Sequence, residues 1–430
     1  MRRVIRIGLL GCGVVGAGVA RILHEHRDDI AARTGATLEI ARVAVRDPAR
    51  HRDVPLPAEV FTDDPAAVVD ADDVDLVVEV IGGLQPAGDL LRRALKQRKP
   101  VVTANKELVA HEGPDLFDLA EDAGVDLQYE AAVAGAIPII KPLKESLAGD
   151  RIRRVIGILN GTTNYILTRM TEEGAAYDDV LAEAQRLGFA EADPTADVAG
   201  HDAAAKCAIL ASLAFDTRVV ADDVFREGIR SVTATDISVA DRLGYVIKLL
   251  AIASEVDGQV AVRVHPAFVR KTHPLAAVRE SFNAIFVQAN HAGELMFYGR
   301  GAGSAPTGSA VVGDIIHVAR HLLQESRGPR ESSHRAKRIR PIAELATQYY
   351  VLLDVEDRPG VLAAVATVFG RHGVSIGQVW QEGHGDTAQL VLITHRARES
   401  DLQAVVGDLG REPAVRSVAS VLRVESEALG

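Results

Sequence analysis

The sequence predicts an α/β protein with three folded domains: a doubly wound parallel sheet, an α+β domain and a C-terminal βαββαβ domain. The first rests on strand and helix patterns that alternate from the N-terminus to about residue 140. After residue 141 the alternation stops, and longer strands and helices follow. A polar, proline-bounded segment at 325–341 predicts a linker. The expected boundaries are 1–140 (completed by a helix at 305–324), 141–304, a linker at 325–345, and 346–430.

Composition and net charge limit the classes of protein and of partner that are compatible with the sequence. With 430 residues, 47% of them hydrophobic and 25% charged, the chain is typical of a globular protein with several cores. A net charge of -11 argues against a nucleic-acid partner, because phosphate binding requires a basic face. Two cysteines exclude a disulfide framework and predict a reducing compartment, the cytoplasm. No apolar run reaches the roughly 18 residues of a membrane span, so no membrane partner is expected.

The predicted strands of the first domain are short, apolar and separated by helical patterns. They cover residues 4–10, 38–45, 75–83 and 100–106, and a fifth strand within 126–140 runs into a glycine-bearing turn. The second domain is predicted to begin with a helix at 141–149 and to contain strands at 151–160, 261–270, 283–290 and 294–299. A helix is predicted over 241–256, where Leu243, Val246 and Leu250 recur with a helical period.

A glycine-rich loop follows the first strand directly. Gly11, Gly13 and Gly16 form a GxGxxG pattern between that strand and an amphipathic helix. Gly11 permits a tight turn, Gly13 lets the backbone approach a pyrophosphate, and Gly16 allows the helix to pack closely on the strand. The helix start, at Val14 and Val15, offers N–H groups to the phosphates. This context favours dinucleotide binding over a merely structural glycine turn.

The end of the second strand is where the ribose of a dinucleotide is recognised. An acid there favours NAD, whereas an arginine can pair with the 2′-phosphate of NADP. The chain has Arg46 and then Asp47, with Arg50 nearby. Because arginine comes first, we expect NADP, with Arg46 as a contact. NAD stays the alternative, since both arginines can also be solvated loop residues.

The fourth predicted strand delivers polar residues at its carboxyl end. Thr103, Asn105 and Lys106 follow one another there. Ligands of open parallel sheets bind at that edge, so a lysine there is a better functional candidate than one elsewhere on the surface. We expect Thr103 and Lys106 to contact the cofactor.

The stretch from Gly188 to Lys206 combines acids, one lysine and many small residues. Its acids are Glu191, Asp193, Asp197 and Asp202. Asp202 and Lys206 stand four apart, so they share one face of a predicted helix. This spacing predicts either an ordinary ion pair on a surface helix or part of an active site, and the stretch alone does not separate the two.

A second glycine-rich loop, 299–315, leads into a helix but lacks the Gly-Lys-Ser/Thr ending of a phosphate loop. On that helix His317 and His321 stand four apart, a spacing that metal sites use. No acid lies between them to act as a base, and the sequence offers no evident third ligand. We therefore expect two ordinary helix residues.

Together these motifs resemble the homoserine dehydrogenase family along essentially the whole chain, in the long form with a C-terminal ACT domain. The resemblance rests on GLLGCGVVG, TANKELVA, YEAAVAGAIPII, GILNGTTNYIL, GFAEADPTADVAGHDAAAK and FYGRGAGSAPTGSAVVGDI. The segment DRPGVLAAVATVFGRHGVSI is similar to the first strand, turn and helix of an ACT domain. The implied fold is a Rossmann domain, an α+β catalytic and dimerisation domain, and an ACT regulatory domain.

The resemblance implies reversible, NAD(P)-dependent interconversion of L-homoserine and L-aspartate 4-semialdehyde, in threonine and methionine biosynthesis. The two catalytic lysines of the family fall on Lys106 and Lys206, and Lys106 also binds substrate. The family's remaining substrate and cofactor positions fall on Glu191, Asp202, Gly188 and Gly303. Departures from the family pattern are Phe189, where tyrosine is common, and Gly308 and Gly313, where alanine is usual.

The resemblance also implies a sodium ion and a regulatory ligand. The sodium ligands fall on the Glu130 carboxylate and on the backbone carbonyls of Val133, Gly135 and Ile137. Oxygen ligands of this kind suit a hard cation. ACT domains bind amino acids near the turn that falls here on 357–360, which implies threonine as a feedback inhibitor. The family further implies a homodimer or a homotetramer.

The chemistry of the reaction agrees with these positions. Hydride transfer to an aldehyde builds negative charge on its oxygen, and a lysine supplies both a cation and a proton donor. Glu191 and Asp202 suit the ammonium group of the substrate. Two other functions stay open: another Rossmann oxidoreductase acting on a small amino-acid-like substrate, and an ACT-type amino-acid sensor whose dehydrogenase half is inactive. The intact set of two lysines and two acids argues against the sensor.

Overall fold

A computed structural model describes residues 3–330 and 336–425; residues 331–335 of the predicted linker and 426–430 of the predicted last domain lie outside the described residues. The strands are β1 (Arg3–Leu10), β2 (Ala36–Ala44), β3 (Phe61–Thr62), β4 (Leu76–Glu79), β5 (Val101–Thr103), β6 (Leu127–Gln128), β7 (Ile152–Ile158), β8 (Phe225–Arg226), β9 (Tyr245–Val256), β10 (Gln259–Arg270), β11 (Phe282–Ala289), β12 (Glu294–Arg300), β13 (Ala346–Glu356), β14 (Ile376–His384), β15 (Thr387–Thr394), β16 (Ala397–Arg398) and β17 (Val415–Glu425).

The α-helices are α1 (Val14–Glu25), α2 (Arg27–Thr34), α3 (Pro65–Asp70), α4 (Ala87–Lys96), α5 (Lys106–Ala123), α6 (Gly161–Glu173), α7 (Tyr177–Arg186), α8 (Thr195–Val198), α9 (His201–Ala214), α10 (Ala234–Arg242), α11 (Ser304–Gln324), α12 (Val361–Arg371) and α13 (Glu399–Leu409). A π-helix covers Pro142–Ser146. Turns of 3-10 helix cover Ala58–Val60, Glu130–Ala132, Ala221–Asp223, Pro274–Ala277 and Ile342–Glu344.

The described chain divides into two compact units, and the first carries an all-parallel sheet. This unit comprises residues 1–159, 204–224 and 282–337. Its sheet has the strand order β3-β2-β1-β4-β5-β6, with parallel pairing between all neighbours. The order reverses between β1 and β4, which is the switch point of a doubly wound, dinucleotide-binding sheet. The fold class predicted for the N-terminal part is confirmed.

Helix α11 contributes to the core of this sheet although it lies far along the chain. Its Ile315 is buried in one apolar cluster with Val19 of α1. The two helices approach closely because glycines lie at the contact. A Cβ added to Gly18 would lie 2.4 Å from the Ser304 carbonyl oxygen, and one added to Gly308 would lie 3.0 Å from the Gly18 backbone. The glycine at 308, an exception to the family pattern, therefore occupies a crowded helix crossing.

The first unit also holds a small antiparallel sheet. In it β11 pairs with β7 on one side and with β12 on the other. These strands confirm the elements predicted at 151–160, 283–290 and 294–299. They place the end of β7 next in sequence to the start of α6.

The second unit comprises residues 160–203, 225–281 and 338–430. Its strands lie in the order β9-β10-β17-β13-β15-β14. From β13 to β17 the elements follow the predicted βαββαβ order, with the two-residue β16 added beside β13. Strand β17 is also paired in parallel with β10, through Ala267–Val269 and Arg423–Glu425. The last strand of the C-terminal domain is therefore hydrogen-bonded to a strand of the preceding domain.

Buried polar contacts reinforce this junction inside the second unit. The Arg423 guanidinium is 4% exposed and bonds to Glu399 at 2.8 Å and to Glu227 at 2.6 Å. The Tyr350 hydroxyl donates to Asp236 on α10 at 3.0 Å. Buried charge pairs of this kind hold their neighbours in fixed positions, because separating them would leave a charge unpaired away from water.

One predicted element is wrong. The helix predicted over 241–256 is instead the end of α10 followed by the long strand β9. Gly244, with φ of 81°, lies between them and ends the helical path. Residues 247–254 are all buried, so the strand has no exposed face. A continuous apolar run fits a helical and a strand period equally well, which is why three of its residues suggested a helix.

Two further elements are shorter than predicted. Within 126–140 the predicted strand is only the two-residue β6, and a turn of 3-10 helix follows it. The helix predicted at 141–149 is the five-residue π-helix.

Of the helices in residues 3–330 and 336–425, none is both long and apolar enough to cross a membrane. The expected domain boundaries at 140, 304 and 345 stay predictions.

Lys248 is a buried cation on β9. It is 4% exposed, and its ammonium donates to Asn164 Oδ1 at 2.9 Å and to the Val278 carbonyl oxygen at 2.6 Å. Burial lowers the pKa of Lys248 to about 8. In the unfolded chain this lysine keeps its proton to a higher pH than in the folded one, so folding releases a proton in that interval.

We predict that the free energy of unfolding of the wild type rises, relative to Lys248→Met, as pH rises from about 8 towards 10.5. The gain over the whole interval should be on the order of 3 kcal/mol, because each pKa unit corresponds to about 1.4 kcal/mol. Urea unfolding at several pH values measures it. Lys271→Met, which removes an exposed lysine, is the matched control and should follow the wild type. A wild-type advantage independent of pH would contradict the prediction.

Candidate active site

The glycine-rich loop joins β1 to α1, as predicted. Gly11 has φ of 101°, a conformation that favours glycine. A Cβ added at Gly16 would lie 2.2 Å from the Gly11 carbonyl oxygen, whereas one at Gly13 would meet nothing within 4 Å. The space beside Gly13 is therefore open, and α1 has no side-chain cap. The first N–H groups of α1, at Val14 and Val15, can consequently bond to an anion.

Arg46 and Asp47, just past β2, differ in what they contact. The Asp47 carboxylate accepts from the backbone N–H groups of Ala49 at 3.0 Å and Arg50 at 3.2 Å. Arg46 is exposed, and no described residue forms a hydrogen bond or ion pair with its side chain. Asp47 thus stabilises its own turn, while the Arg46 guanidinium is available to bind a phosphate.

A carboxylate that the sequence did not single out lies at the carboxyl edge of the sheet. Glu79, the last residue of β4, is fully buried and accepts from the Thr103 hydroxyl at 2.5 Å. Its other oxygen accepts from the N–H groups of Ile81 at 2.7 Å and Gly82 at 3.0 Å. Glu79 therefore ties the loop after β4 to the end of β5. The cofactor contact expected of Thr103 stays a prediction.

Lys106 is the first residue of α5, at the carboxyl end of β5. Asn105 caps this helix, since its Oδ1 accepts from the Leu108 N–H at 3.1 Å. The Asn105 amide also donates to the Gly83 carbonyl oxygen at 2.6 Å. The helix that carries Lys106 and the loop after β4 are therefore joined by one side chain.

Lys206 lies on α9 in the same unit as Lys106. It is 9% exposed, and its ammonium donates to the Leu159 carbonyl oxygen at 2.7 Å. Asp202, four residues earlier, is also 9% exposed. An ion pair on a surface helix would leave both side chains in solvent, whereas here both are buried. The functional role expected of this pair stays a prediction.

Asp202 belongs to a cluster of two acids and one amide in the second unit. The Asn160 amide nitrogen donates to Asp202 Oδ2 at 2.9 Å and to Asp197 Oδ1 at 2.7 Å. The sequence interpretation left the role of Asp197 open and did not single out Asn160. The available signal was the position of Asn160 at a strand end, as the N-cap residue of the following helix.

Gly188 and Glu191 belong to the turn between α7 and α8. Gly188 has φ of 78°, which favours glycine. Gln185 donates to the backbone carbonyl of Glu191 at 3.1 Å, and the Glu191 side chain is exposed. No described residue forms a hydrogen bond or ion pair with that carboxylate. The Thr162 hydroxyl holds the same turn through the Phe189 carbonyl oxygen at 2.7 Å.

Glu130, the expected sodium ligand, is 5% exposed. Its carboxylate accepts from three backbone N–H groups, those of Ile139 at 2.6 Å, Ile140 at 2.7 Å and Lys141 at 3.0 Å. A carboxylate has about four acceptor positions, so one oxygen can still bind a cation. The expected carbonyl ligands, those of Val133, Gly135 and Ile137, accept no hydrogen bond from any described backbone N–H. The residues therefore fit a small hard cation.

Asp314 supports this region from α11. Its carboxylate accepts from the Glu130 backbone N–H at 2.8 Å and pairs with the Lys141 ammonium at 2.7 Å. Complete burial raises the pKa of Asp314 to about 6. Helix α11 and the loop of the expected sodium ligands are thus held together by one carboxyl group.

Gly303 lies in the loop between β12 and α11. Its φ of 123° is a conformation that only glycine adopts readily. The carbonyl oxygen of Gly301, in the same loop, would lie 2.5 Å from a Cβ added to Gly135, which belongs to the segment after β6. The Ser304 hydroxyl donates to the Val14 carbonyl oxygen at 2.7 Å, next to the start of α1. The second glycine loop is therefore seated beside the first.

His317 and His321 are neighbours on α11, with ring centroids 4.3 Å apart. His321 Nδ1 bonds to Asp126 Oδ2 at 2.7 Å. Burial lowers the pKa of His317. Within the described residues, no group of three or more histidine, cysteine or acidic side chains converges as a metal site.

Comparison with family models divides the chain into three matched regions. Residues 11–130 match the model described as "Homoserine dehydrogenase, NAD binding domain". Residues 138–316 match "Homoserine dehydrogenase", and residues 349–414 match "ACT domain". These regions follow the order of the elements described above.

Relatives match along the whole chain. The chain is 50% identical over 428 residues to the homoserine dehydrogenase of Corynebacterium glutamicum, covering 98% of this chain and 96% of that protein. A homoserine dehydrogenase structure from Thiobacillus denitrificans is 39% identical, with a TM-score of 0.93 and 99% of both chains covered. A hyperthermophilic archaeal homoserine dehydrogenase in complex with NADPH is 28% identical, with a TM-score of 0.64, covering 76% of this chain and 99% of that one.

Proposed function

The chain belongs to the homoserine dehydrogenase family and is an oxidoreductase, and from this premise we propose how its residues carry out the reaction. The reaction interconverts L-homoserine and L-aspartate 4-semialdehyde with a nicotinamide cofactor. The observation that carries the residue assignment is the burial of Lys206, whose ammonium donates to the Leu159 carbonyl oxygen, together with the burial of Asp202 four residues earlier on the same helix.

Lys106 and Lys206 are the catalytic lysines of this proposal. A bound nicotinamide would supply the hydride acceptor for the carbinol carbon of homoserine, and the hydride donor in the reverse direction. As the hydride leaves, the substrate hydroxyl loses its proton to a neutral lysine amine and becomes the aldehyde oxygen. In reduction, the lysine ammonium returns that proton and opposes the negative charge on the oxygen. The Leu159 carbonyl oxygen accepts a hydrogen bond from the Lys206 ammonium, which holds that group in place.

Glu191 and Asp202 bind the substrate ammonium group in this proposal, and we add Asp197. An ammonium group has three donors and requires several acceptors. Glu191 is exposed, while Asp202 and Asp197 share the Asn160 amide. Gly188, with its left-handed conformation, shapes the turn that carries Glu191.

NADP is the cofactor that we propose. The N–H groups of Val14 and Val15 bind the pyrophosphate, with open space at Gly13. Arg46 takes the 2′-phosphate, while one carboxylate oxygen of Asp47 accepts two backbone N–H groups of its own turn. Lys106, Gly188, Gly303 and Thr103 complete the expected cofactor contacts.

A sodium ion is a further proposal for the loop after β6. Glu130 and the carbonyl oxygens of Val133, Gly135 and Ile137 would hold it. Bound there, the cation would neutralise the buried carboxylate and stiffen a loop that lies against Gly301. Replacing sodium by choline in the buffer tests this through the melting temperature. The homodimer or homotetramer implied by the family stays a prediction.

We predict that Lys206→Ala lowers kcat by about 1,000-fold, as loss of a general acid or base commonly does, and leaves the NADP dissociation constant within about twofold. Homoserine-dependent absorbance at 340 nm and cofactor titration measure the two effects. Lys96→Ala, which removes an exposed lysine from α4, is the control and should behave as the wild type. An unchanged kcat in Lys206→Ala would remove Lys206 from the mechanism.

We predict that Arg46→Ala raises KM for NADP by roughly 10-fold or more, since a charge-assisted bond to phosphate contributes about 1.5–3 kcal/mol. KM for NAD, which lacks that phosphate, should hardly change. Arg27→Ala, an exposed arginine on α2, is the matched control. Equal effects on both cofactors, or a wild type that prefers NAD, would count against the assignment.

We predict that L-threonine lowers the turnover rate and raises the melting temperature, because a ligand that binds only the folded state stabilises it. D-Threonine should do neither. Gly360, in the turn before α12, has φ of 92°, so Gly360→Val should distort that turn and abolish the response. Gly410→Ala, at an ordinary φ of -66°, is the control in the same domain. The absence of any threonine effect on the wild type would leave the domain without this ligand.

A further inference from the structure

Asn160 is the residue of the acidic cluster that the proposed function does not use. It is 5% exposed and lies between β7 and α6. Its Oδ1 accepts from the Thr163 N–H at 2.9 Å and so caps α6. Its Nδ2 donates to Asp197 Oδ1 at 2.7 Å and to Asp202 Oδ2 at 2.9 Å. One side chain therefore performs two separable tasks, capping with the oxygen and bridging with the nitrogen.

The bridge opposes a repulsion between the two acids. Asp197 and Asp202 both come within hydrogen-bond distance of one nitrogen, in a site where Asp202 is 9% exposed. Two carboxylates brought together in low dielectric repel each other, or one of them takes up a proton. An amide NH₂ has two hydrogens, and here each points to one acid. The amide thus holds the two carboxylates close together, the arrangement that a cation requires.

The start of α6, which carries Asn160 as its cap, is closely packed against its surroundings. A Cβ added to Gly161 would lie 2.7 Å from the Ser281 carbonyl oxygen, so the start of α6 lies tightly against that loop. One turn on, Asn164 donates to the Glu280 carbonyl oxygen at 2.9 Å and accepts from the Lys248 ammonium at 2.9 Å. The cap of α6 therefore has little freedom to follow the acids if they move apart.

We propose that Asn160 is a positioning residue for substrate binding: its amide holds Asp197 and Asp202 as one acidic pair that receives the ammonium group of the amino-acid substrate. This role rests on the proposed function, and it assigns Asp197 to the same pair as Asp202. Asn160 touches neither the reacting carbon nor the hydride. Its loss should therefore weaken substrate binding much more than it slows turnover by bound substrate.

Asn160→Asp separates the two tasks of the side chain. Aspartate is as good an N-cap as asparagine, so the helix keeps its cap. The bridging nitrogen, however, becomes a third carboxylate oxygen between two acids. We expect KM for homoserine to rise by about 10-fold or more through this like-charge contact, with kcat and KM for NADP within about threefold and the melting temperature within about 2 °C of the wild type.

Asn160→Ser is the second variant. Serine also caps helices, but it neither bridges the acids nor adds a charge, so KM for homoserine should rise less than in Asn160→Asp. Asp64→Asn is the matched control, an exchange at the cap of α3, where the side chain accepts from Ala66 and Ala67. It should leave every constant unchanged.

Two results would overturn the role of Asn160. One is an unchanged KM for homoserine in both variants. The other is a general loss in the serine variant, as a purely structural residue would give, in which the melting temperature and kcat fall while both KM values rise. A wild type that shows no homoserine-dependent reduction of either NADP or NAD would instead refute the proposed function, and this role for Asn160 would fall with it. The wild-type assay therefore separates the two failures.

Discussion

The candidate site depends on one turn of the chain, at the end of β7. There the Leu159 carbonyl oxygen accepts from Lys206, and the side chain of the very next residue, Asn160, holds Asp202 and Asp197. Two consecutive residues thus form the hydrogen bonds to Lys206 and to the two aspartates. Since β7 is hydrogen-bonded into a sheet and α6 begins at once, this turn has little freedom. The four-residue spacing of Asp202 and Lys206 on α9 therefore matches the positions of the two groups in this turn that bond to them.

A second constraint is the need for glycine at positions where two backbone segments come too close for a side chain to fit. The GxGxxG loop is usually explained by its ligand, yet Gly16 is required even without one, because its Cβ would overlap the Gly11 carbonyl oxygen. The crossing of α1 and α11 at Gly18 and Gly308 follows the same rule. Helix α11 can therefore complete the core of the first sheet and at the same time present Gly303 beside the phosphate loop.

Much of the fold was predictable because local patterns carry it: strand alternation, the glycine loop and the βαββαβ order all appear in the sequence. The strand β9 was not, since an apolar run buried on both faces has no period to reveal it. In the candidate site, the two lysines and the glycines have recognisable motifs. Glu79 and Asn160 do not, because their roles arise from hydrogen bonds to residues distant in sequence, and a buried acceptor or amide looks like any other in one sequence.

The parallel pairing of β17 with β10 makes the C-terminal domain a poor candidate for a detachable module. Cutting the chain before β13 would leave the edge of β10 with unpaired backbone groups and Glu227 without its buried arginine. A shortened protein would then tend to aggregate through that edge, so its inactivity would say nothing about regulation. By the same geometry, a shift in the position of β17 would act directly on β10, its hydrogen-bonded neighbour in the second unit.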